Sequence, residues 1–307
     1  MIMTSLKNKY LGGMIGSALG DAIGELAFRY RTTEVLRDQV EKSGELRYTD
    51  DSAMSIGLAE SILKKGDLDQ QDLGDTFRYH FRREPWRGYA SGPPTIFSIV
   101  ERYGVTYLEA AKSLFGGEGS LGNGAAMRIV PVGLHFHRSD DLYEKACFSA
   151  SVTHTHPVGM DGAAVQARAV GLAVKLDPEE AFPFTAFIDA LIDFSKTSEM
   201  QEKMRLVKQC IFENTPPSLA SDQLGRTVAI HESMPFALFS FLRHPNSFED
   251  CLFCATLHGG DRDTLGAMAC AISGAYLGIE SIPQSWINKL ENRLYFEDLA
   301  LRLSEIK

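Results

Sequence analysis

The chain has 307 residues, of which 44% are hydrophobic and 23% are charged, the usage of a globular protein with a large core. Its formal net charge is -9, and Lys and Arg are scattered, so the sequence offers no basic surface for a nucleic-acid backbone. No uninterrupted apolar run approaches the roughly 20 residues that a membrane-spanning helix needs. We therefore expect no nucleic-acid and no membrane partner. We also expect a cytoplasmic protein that is a monomer, although the sequence leaves the oligomeric state open.

Helical periodicity dominates the chain, as in Met54, Leu58 and Ile62, and strand-type alternation is scarce. Prolines, glycines and small polar residues interrupt it near residues 88–94, 116–124, 157 and 215–221, but none of these breaks is a long linker. The pattern predicts an all-α fold, a compact orthogonal multi-helix bundle in which residues 1–307 form a single domain.

Two helical stretches are unusually rich in small residues, one over residues 10–20 and the other over residues 265–278. Glycine lowers helix propensity by roughly 1 kcal/mol relative to alanine, so close approach of two helices must compensate. We expect these two helices at the centre of the bundle. Because Lys7 and Lys9 precede residues 10–20, a secretory leader is an alternative, against which the four glycines and Asp21 argue.

The cysteines form an odd, sparse set, which is typical of a reducing compartment and not of a disulfide framework: Cys147, Cys210, Cys251, Cys254 and Cys270. The Cys251-x-x-Cys254 spacing could suit zinc or redox chemistry. However, no second ligand pair lies at a matching spacing, and no βαβ pattern surrounds the two thiols. We interpret them as thiols packed between helices.

Two segments resemble each other, YTDDS at residues 48–52 and GGDRDT at residues 259–264, and each precedes an apolar helix. Thr and Asp are favoured N-caps, so simple capping is one reading of either segment. A cap needs one side chain, however, whereas each segment carries three hard oxygen donors. If the two helix starts face each other, their carboxylates repel unless cations lie between them, and such ligands suit Mg²⁺, Mn²⁺ or Ca²⁺. The doubling therefore favours a central cleft with two metal ions.

A glycine-dense loop at residues 116–124 precedes a further apolar run. Such loops expose successive backbone N–H groups and can hold phosphates, although taken alone the composition more often indicates a flexible connector. The loop lacks the Gly-Lys-Ser/Thr ending of a P-loop. A second segment, THTHP at residues 153–157, carries two histidines, but their spacing does not match a zinc site and decides nothing alone.

Five separated motifs, taken in order, resemble those of the ADP-ribosylglycohydrolase family: GDAIG at 20–24, YTDDSAM at 48–54, GNGAAMR at 122–128, TH at 153–154 and GGDRDT at 259–264. The resemblance runs from about residue 9 to the C-terminus. Residues 115–123 and 281–286 resemble the branch that cleaves O-linked ADP-ribose, notably from serine. The resemblance implies an Mg²⁺-dependent hydrolase that releases ADP-ribose from a modified protein or a small conjugate.

The same resemblance implies the residues of the site. Two Mg²⁺ ions, for which Mn²⁺ can substitute, would be bound by six residues: Thr49, Asp50, Asp51, Asp261, Asp263 and Thr264. Asp50 and Asp261 would also be catalytic. Substrate would be bound by Phe115 at the adenine, by backbone groups of Gly119, Ser120 and Leu121 at the diphosphate, by Gly122 and Asn123, and by His154 at the distal ribose.

Two positions depart from the family pattern. Arg262 replaces a small polar residue, and its cation would either reach a phosphate or point away from the metals. The catalytic glutamate of the O-linked branch lies several residues beyond the first motif, where this chain has Phe28. We expect Glu25, directly after Gly24 at a helix end where the chain can turn, to supply this acid, with Glu34 as the alternative.

Two other functions remain open at this stage. A binuclear metal phosphohydrolase would use the same carboxylates and release free phosphate. A catalytically silent, structural relative would have lost metal ligands, whereas all six are present here. The acceptor of ADP-ribose, whether serine, arginine, a polymer or a small O-acyl ester, is not fixed by these motifs.

Overall fold

The computed structural model describes residues 5–306, which form seventeen α-helices and no β-sheet. The first eight are α1 (Leu6–Ala27), α2 (Thr33–Lys42), α3 (Asp50–Lys65), α4 (Gln70–Arg83), α5 (Gly92–Tyr103), α6 (Tyr107–Lys112), α7 (Val130–His135) and α8 (Leu142–Ala150). The others are α9 (Pro157–Ala173), α10 (Phe184–Phe194), α11 (Ser198–Phe212), α12 (Pro217–Leu224), α13 (Ile230–Arg243), α14 (Phe248–Thr256), α15 (Arg262–Leu277), α16 (Gln284–Lys289) and α17 (Arg293–Glu305). The all-α prediction is confirmed.

The centre of the molecule is the antiparallel pair of α1 and α15, the two small-residue helices. Their backbones touch, because a Cβ atom on Gly20 would lie 2.2 Å from the carbonyl oxygen of Gly266. At the other end of the pair, a Cβ atom on Gly12 would lie 2.2 Å from the carbonyl oxygen of Gly274. The sequence prediction of a close central pair is therefore confirmed, and residues 10–20 belong to the core.

The end of α1 differs from the prediction. Gly24 does not turn the chain, because α1 continues to Ala27 and Glu25 lies within its last helical turn with an exposed side chain. Gly24 instead makes room for α15, since a Cβ atom there would lie 2.5 Å from the Cα atom of Asp263. This contact brings the start of α15 against the end of α1.

The start of α3 is fixed by the segment in front of it. Leu46 forms a parallel β-bridge with Leu290, and Asp50 N–H donates to the carbonyl oxygen of Arg87 over 2.8 Å. The buried Arg87 guanidinium donates to the Tyr48 carbonyl over 2.9 Å and forms an ion pair with Glu291 at 2.6 Å. Backbone and side-chain bonds together hold Asp50 at the first position of its helix.

The five cysteines are free thiols, and all but Cys147 are buried. Burial raises the pKa of Cys254 to about 12, so this thiol stays protonated and unreactive at neutral pH. The interpretation of packed helical thiols is confirmed. Among residues 5–306, no helix combines the length and the apolar character needed to cross a bilayer.

Candidate functional site

A cavity of about 450 Å³ opens where the starts of α3 and α15 meet the glycine loop and the turn after α8. Twelve of the residues predicted for metal or substrate binding line it: Asp50, Asp51, Phe115, Gly119, Ser120, Leu121, Gly122, Asn123, His154, Asp261, Asp263 and Thr264. Thr49 is not in the lining, and neither are Glu25 and Glu34. The volume lies within the range of small-molecule sites.

One wall of the cavity is the start of α3, and a buried carboxylate on α1 holds it. Asp21 is fully buried and accepts hydrogen bonds from the N–H and hydroxyl groups of both Thr49 and Ser52, over 2.6 to 3.1 Å. The Thr49 hydroxyl therefore points to Asp21, at 2.8 Å, although it also lies 3.4 Å from Asp51 Oδ2. In this structure the side chain of Thr49 orients the helix start.

The opposite wall is the start of α15, which is held from the glycine loop. Asn123 Nδ2 donates to Asp261 Oδ2 over 2.7 Å, and Asp261 N–H donates to the carbonyl oxygen of Arg226 over 2.9 Å. Asp263 Oδ1 accepts the N–H of Thr264 at 2.9 Å. Asn123, predicted to contact substrate, thus also orients a carboxylate.

The N-cap side chains of these two segments do not form the hydrogen bonds that capping would require. The N-cap residues are Thr49 and Asp261, and neither side chain accepts a hydrogen bond from its own helix. Asp263 Oδ1 accepts the N–H of Thr264 and Asp261 Oδ2 accepts from Asn123, but all four aspartates, Asp50, Asp51, Asp261 and Asp263, line the cavity.

The negative charges of the aspartates in and beside the cavity repel one another. Burial and the charge of Asp21 raise the pKa of Asp50 to about 7, and burial with the charges of Asp261 and Asp21 raises the pKa of Asp263 to about 8. Burial, Asp21 and Asp263 hold the pKa of Asp51 well above its usual value. A cation between the two helix starts would relieve this repulsion.

The side chains that line the cavity offer oxygen ligands to a metal ion. Asp51 Oδ1 is buried and has no hydrogen-bond partner among residues 5–306, which fits an oxygen reserved for a cation. In the same part of the chain, no three His, Cys, Asp or Glu side chains are arranged to hold one ion by themselves. An ion here would therefore need further oxygens, from Thr264, water or substrate, as is usual for Mg²⁺.

The glycine loop forms the third wall. Phe115, Gly116, Gly117 and Gly119 all have positive φ angles, between 53° and 96°, so the loop coils tightly. Gly119 N–H was predicted to bind the diphosphate. It instead donates to the carbonyl oxygen of Leu114 over 3.1 Å and is not free to bind phosphate. The N–H groups of Ser120 and Leu121 have no partner in residues 5–306. Phe115 is 62% exposed at the rim of the cavity.

The fourth wall contains His154 and a cation that the sequence analysis did not assign. Arg128 is fully buried and lines the cavity, where it donates to the carbonyl oxygen of Gly124 and to Thr153 Oγ1, each over 2.8 Å. Thr153 Oγ1 lies 2.7 Å from His154 Nδ1. The sequence did carry a signal for Arg128, which is a charge within the apolar run 125–134. The same signal marked Asp21, which is a charge within an apolar helix.

The two candidate acids lie in different places. Glu25 is near enough to the start of α15 that its charge contributes to raising the pKa of Asp263, after burial and other carboxylates. Glu34 lies in the first turn of α2 and lines a separate cavity with His244 and His258. Arg262 points away from the carboxylates, because its buried guanidinium donates to the carbonyl oxygen of Thr256 at the end of α14.

Comparisons with known proteins extend over almost the whole chain. The ADP-ribosylglycohydrolase family model matches residues 3–307. ADP-ribosylhydrolase ARH3 of Danio rerio is 32% identical, over 97% of this chain and 90% of that protein, and human ARH3 is 29% identical, over 97% and 93%. ADP-ribosyl-[dinitrogen reductase] glycohydrolase of Rhodospirillum rubrum is 27% identical, over 94% and 92%.

The fold also matches a solved structure described as an ADP-ribosylglycohydrolase-related protein complex. The TM-score is 0.75 at 24% sequence identity, and the match covers 98% of each chain. At this identity the likeness concerns the arrangement of helices. That arrangement brings residues of four of the five motifs into the lining of one cavity, and the first motif supports it through the bond of Asp21 to Thr49.

Proposed function

Because the chain belongs to the ADP-ribosylglycohydrolase family, we propose that it hydrolyses O-linked ADP-ribose, with Mg²⁺ bound at the paired aspartates. Family and relatives are ADP-ribosylglycohydrolases, so the chain is an enzyme that cleaves ADP-ribose linkages. One observation carries the finer proposal. Two helix starts bring Asp50, Asp51, Asp261 and Asp263 into one cavity, opposite a glycine loop with free N–H groups.

Substrate binding would use the glycine-loop side of the cavity. The unpaired N–H groups of Ser120 and Leu121 suit the diphosphate, and no lysine is needed beside them. Phe115 at the rim offers a ring for the adenine base, a contact of about 1–3 kcal/mol in nucleic-acid binders. The distal ribose would then lie near His154 and the carboxylates.

Two divalent ions would be held by Asp50, Asp51, Asp261, Asp263 and Thr264, with the Thr49 hydroxyl as the sixth candidate ligand. When bound, they would neutralise the carboxylates and polarise the ribose hydroxyls beside the anomeric carbon. Thr49 would have to exchange its bond to Asp21 to take part. Asp50 and Asp261, also expected to be catalytic, would hold the ions beside the carbon that becomes positive as the glycosidic bond breaks.

Hydrolysis also needs a group that protonates the leaving oxygen or activates water. Aspartates that bind metal are poor candidates, because their lone pairs are engaged. Glu25 is the better placed of the two glutamates, since it lies at the end of α1 beside Asp263, whereas Glu34 faces another cavity. We assign this role to Glu25.

The O-linked acceptor is supported by the loop resemblance at residues 115–123 and by the ARH3 relatives at 29% to 32% identity. The second segment that suggested this branch, residues 281–286, does not line the cavity. Its Trp286 is buried and donates to Glu41 over 3.0 Å, on the side of α2. The acceptor assignment therefore rests on the loop and on the relatives.

The test is a release assay with ADP-ribose attached to serine and to arginine, in millimolar Mg²⁺ or EDTA. We expect intact ADP-ribose from the serine substrate, and no release in EDTA. Preference for arginine would overturn the acceptor, activity in EDTA would overturn the metal, and free phosphate would indicate a phosphohydrolase.

The same assay tests the acid with two matched variants. Glu25→Gln keeps the shape of the side chain but cannot exchange a proton, so turnover should fall by about 10²–10⁴-fold. ADP-ribose affinity should be retained. Glu34→Gln is the control and should turn over normally; the reverse pattern would transfer the role to Glu34.

A further inference from the structure

His154 has an asymmetric environment. Its ring is buried and lines the cavity, with Nδ1 2.7 Å from Thr153 Oγ1. Nε2 has no hydrogen-bond partner among residues 5–306 and lies beside the glycine loop, 3.1 Å from where a Cβ atom on Gly124 would be. The free nitrogen is therefore the one a substrate in the cavity can reach.

Thr153 decides which nitrogen carries the proton. Arg128 Nη2 can only donate, so Thr153 Oγ1 must accept this bond, and its own hydroxyl proton needs another acceptor. Thr153 is buried, and among residues 5–306 the acceptor within reach of its hydroxyl is His154 Nδ1. If Nδ1 carried a proton instead, the hydroxyl proton would be left buried without a partner.

Arg128 is itself held in one orientation. Its second terminal nitrogen donates to the Gly124 carbonyl oxygen over 2.8 Å, and the guanidinium lies 4.7 Å from the ring centre of Phe77. The side chain thereby joins the glycine loop to the turn after α8. These two contacts hold the guanidinium against Thr153. The hydrogen bonds therefore run in one direction, from Arg128 to Thr153 and from Thr153 to His154.

We propose that Arg128 and Thr153 are positioning residues that fix His154 as the neutral Nε2–H tautomer, which donates one hydrogen bond to a substrate oxygen and transfers no proton. The substrate contact rests on the proposed function, whereas the tautomer does not. Burial and the charge of Arg128 lower the pKa of His154 to about 3, which agrees with a neutral ring at working pH. The proton chemistry then falls to a carboxyl group.

The tautomer is tested by ¹⁵N NMR of the histidine-labelled full chain, with the His154 signal identified from its loss in His154→Gln. We expect protonated Nε2 and bare Nδ1, unchanged between about pH 5 and 8. Protonated Nδ1, or an imidazolium in this range, would overturn the inference.

The positioning roles are tested with Thr153→Val, which keeps the size of the side chain but loses the hydroxyl, and Thr153→Ser, which keeps the hydroxyl but loses the methyl group. Thr153→Val should populate both tautomers and weaken binding of free ADP-ribose about 10-fold, the effect of one lost hydrogen bond. KM should rise more than kcat falls, and the pH profile of kcat should keep its shape. Thr153→Ser should restore the tautomer and the affinity.

Equal behaviour of Val and Ser would exclude the hydroxyl from any role. Arg128→Lys keeps the charge but has one nitrogen in place of the two that donate to Gly124 and Thr153, so it should weaken the bond to Thr153 and also mix the tautomers. A single Nε2–H tautomer in this variant would remove Arg128 from the proposal. If wild type shows Nε2–H and yet binds no ADP-ribose, the proposed function fails while the tautomer assignment stands.

Discussion

The starts of α3 and α15 have similar sequences, but different contacts hold them in place. Both carry two aspartates and a threonine, and both present the two aspartates to the same cavity, but only Thr264 of α15 lines it, since Thr49 points to Asp21. The start of α3 is held by one buried carboxylate, Asp21, which accepts from two N–H and two hydroxyl groups. The start of α15 is held by one amide, Asn123, and by a backbone bond to Arg226.

The difference teaches that similar motifs need not be equally rigid. Asp21 belongs to the central helix of the core, whereas Asn123 belongs to the glycine loop that also faces the cavity. A ligand that moves the glycine loop would also shift Asp261, because Asn123 joins the two. It would not shift Asp50, because Asp21 holds the start of α3 from the core. We therefore expect the α15 side of the site to adjust to substrate and the α3 side to stay fixed.

The largest effect is expected when Asp21 is replaced. Asp21→Ala leaves four donors on Thr49 and Ser52 unpaired in the core, so the free energy of unfolding should fall by about 2–4 kcal/mol, measured by urea denaturation. Asp21→Asn keeps one accepting oxygen and should lose less. Equal stability of wild type and Asp21→Ala would mean that Asp21 does not support α3.

A smaller effect of opposite sign is expected from the carboxylates of the cavity. The folded-state pKa values of Asp50 and Asp263, about 7 and about 8, lie above the usual 3.8. The folded chain thus binds more protons than the unfolded chain between about pH 4 and 8, so in EDTA its stability should fall as pH rises through this window.

Asp263→Asn removes one of these charges and should stabilise the metal-free protein by about 1–3 kcal/mol at about pH 8, while abolishing turnover. Millimolar Mg²⁺ should flatten the pH dependence of wild type. Urea denaturation at both ends of the window measures this, and metal-free stability that rises with pH would contradict it.

The smallest effect is expected at the other helix start. Asn123→Ala removes one hydrogen bond to Asp261, so the free energy of unfolding should fall by about 1 kcal/mol, less than for Asp21→Ala. ADP-ribose affinity should fall as well, because the loop and Asp261 are no longer joined. A loss of stability as large as that of Asp21→Ala would show that both helix starts are supported equally.

Much of the lining of the candidate site was predictable, because its signals are local in sequence. The doubled Asp/Thr segments and the glycine loop can each be recognised within a few residues, and all three line the cavity. Asp21 and Arg128 stand inside apolar stretches, where a charge signals a buried polar contact, but the sequence does not tell which partner that charge has. Only the fold brings Asp21 to Thr49 and Arg128 to Thr153.

The error at Gly24 has a similar cause. Glycine both ends helices and permits close packing, and the sequence analysis chose the first meaning. Gly24 continues the four-residue spacing of Gly12, Gly16 and Gly20, which marks one face of a continuing helix. That spacing was the better guide, since all four glycines face α15.

The backbone contact between α1 and α15 also sets the distance across the cavity. Side chains can repack after a substitution, but two backbones that already touch have nothing between them to compress or rearrange. The separation between the Asp21 support and Asp263 is therefore a property of the main chain. Conservative changes among the apolar core residues should alter the melting temperature and leave the affinity of the proposed Mg²⁺ site as it was. A single methyl group at Gly20 should instead widen the gap between the two sets of carboxylates.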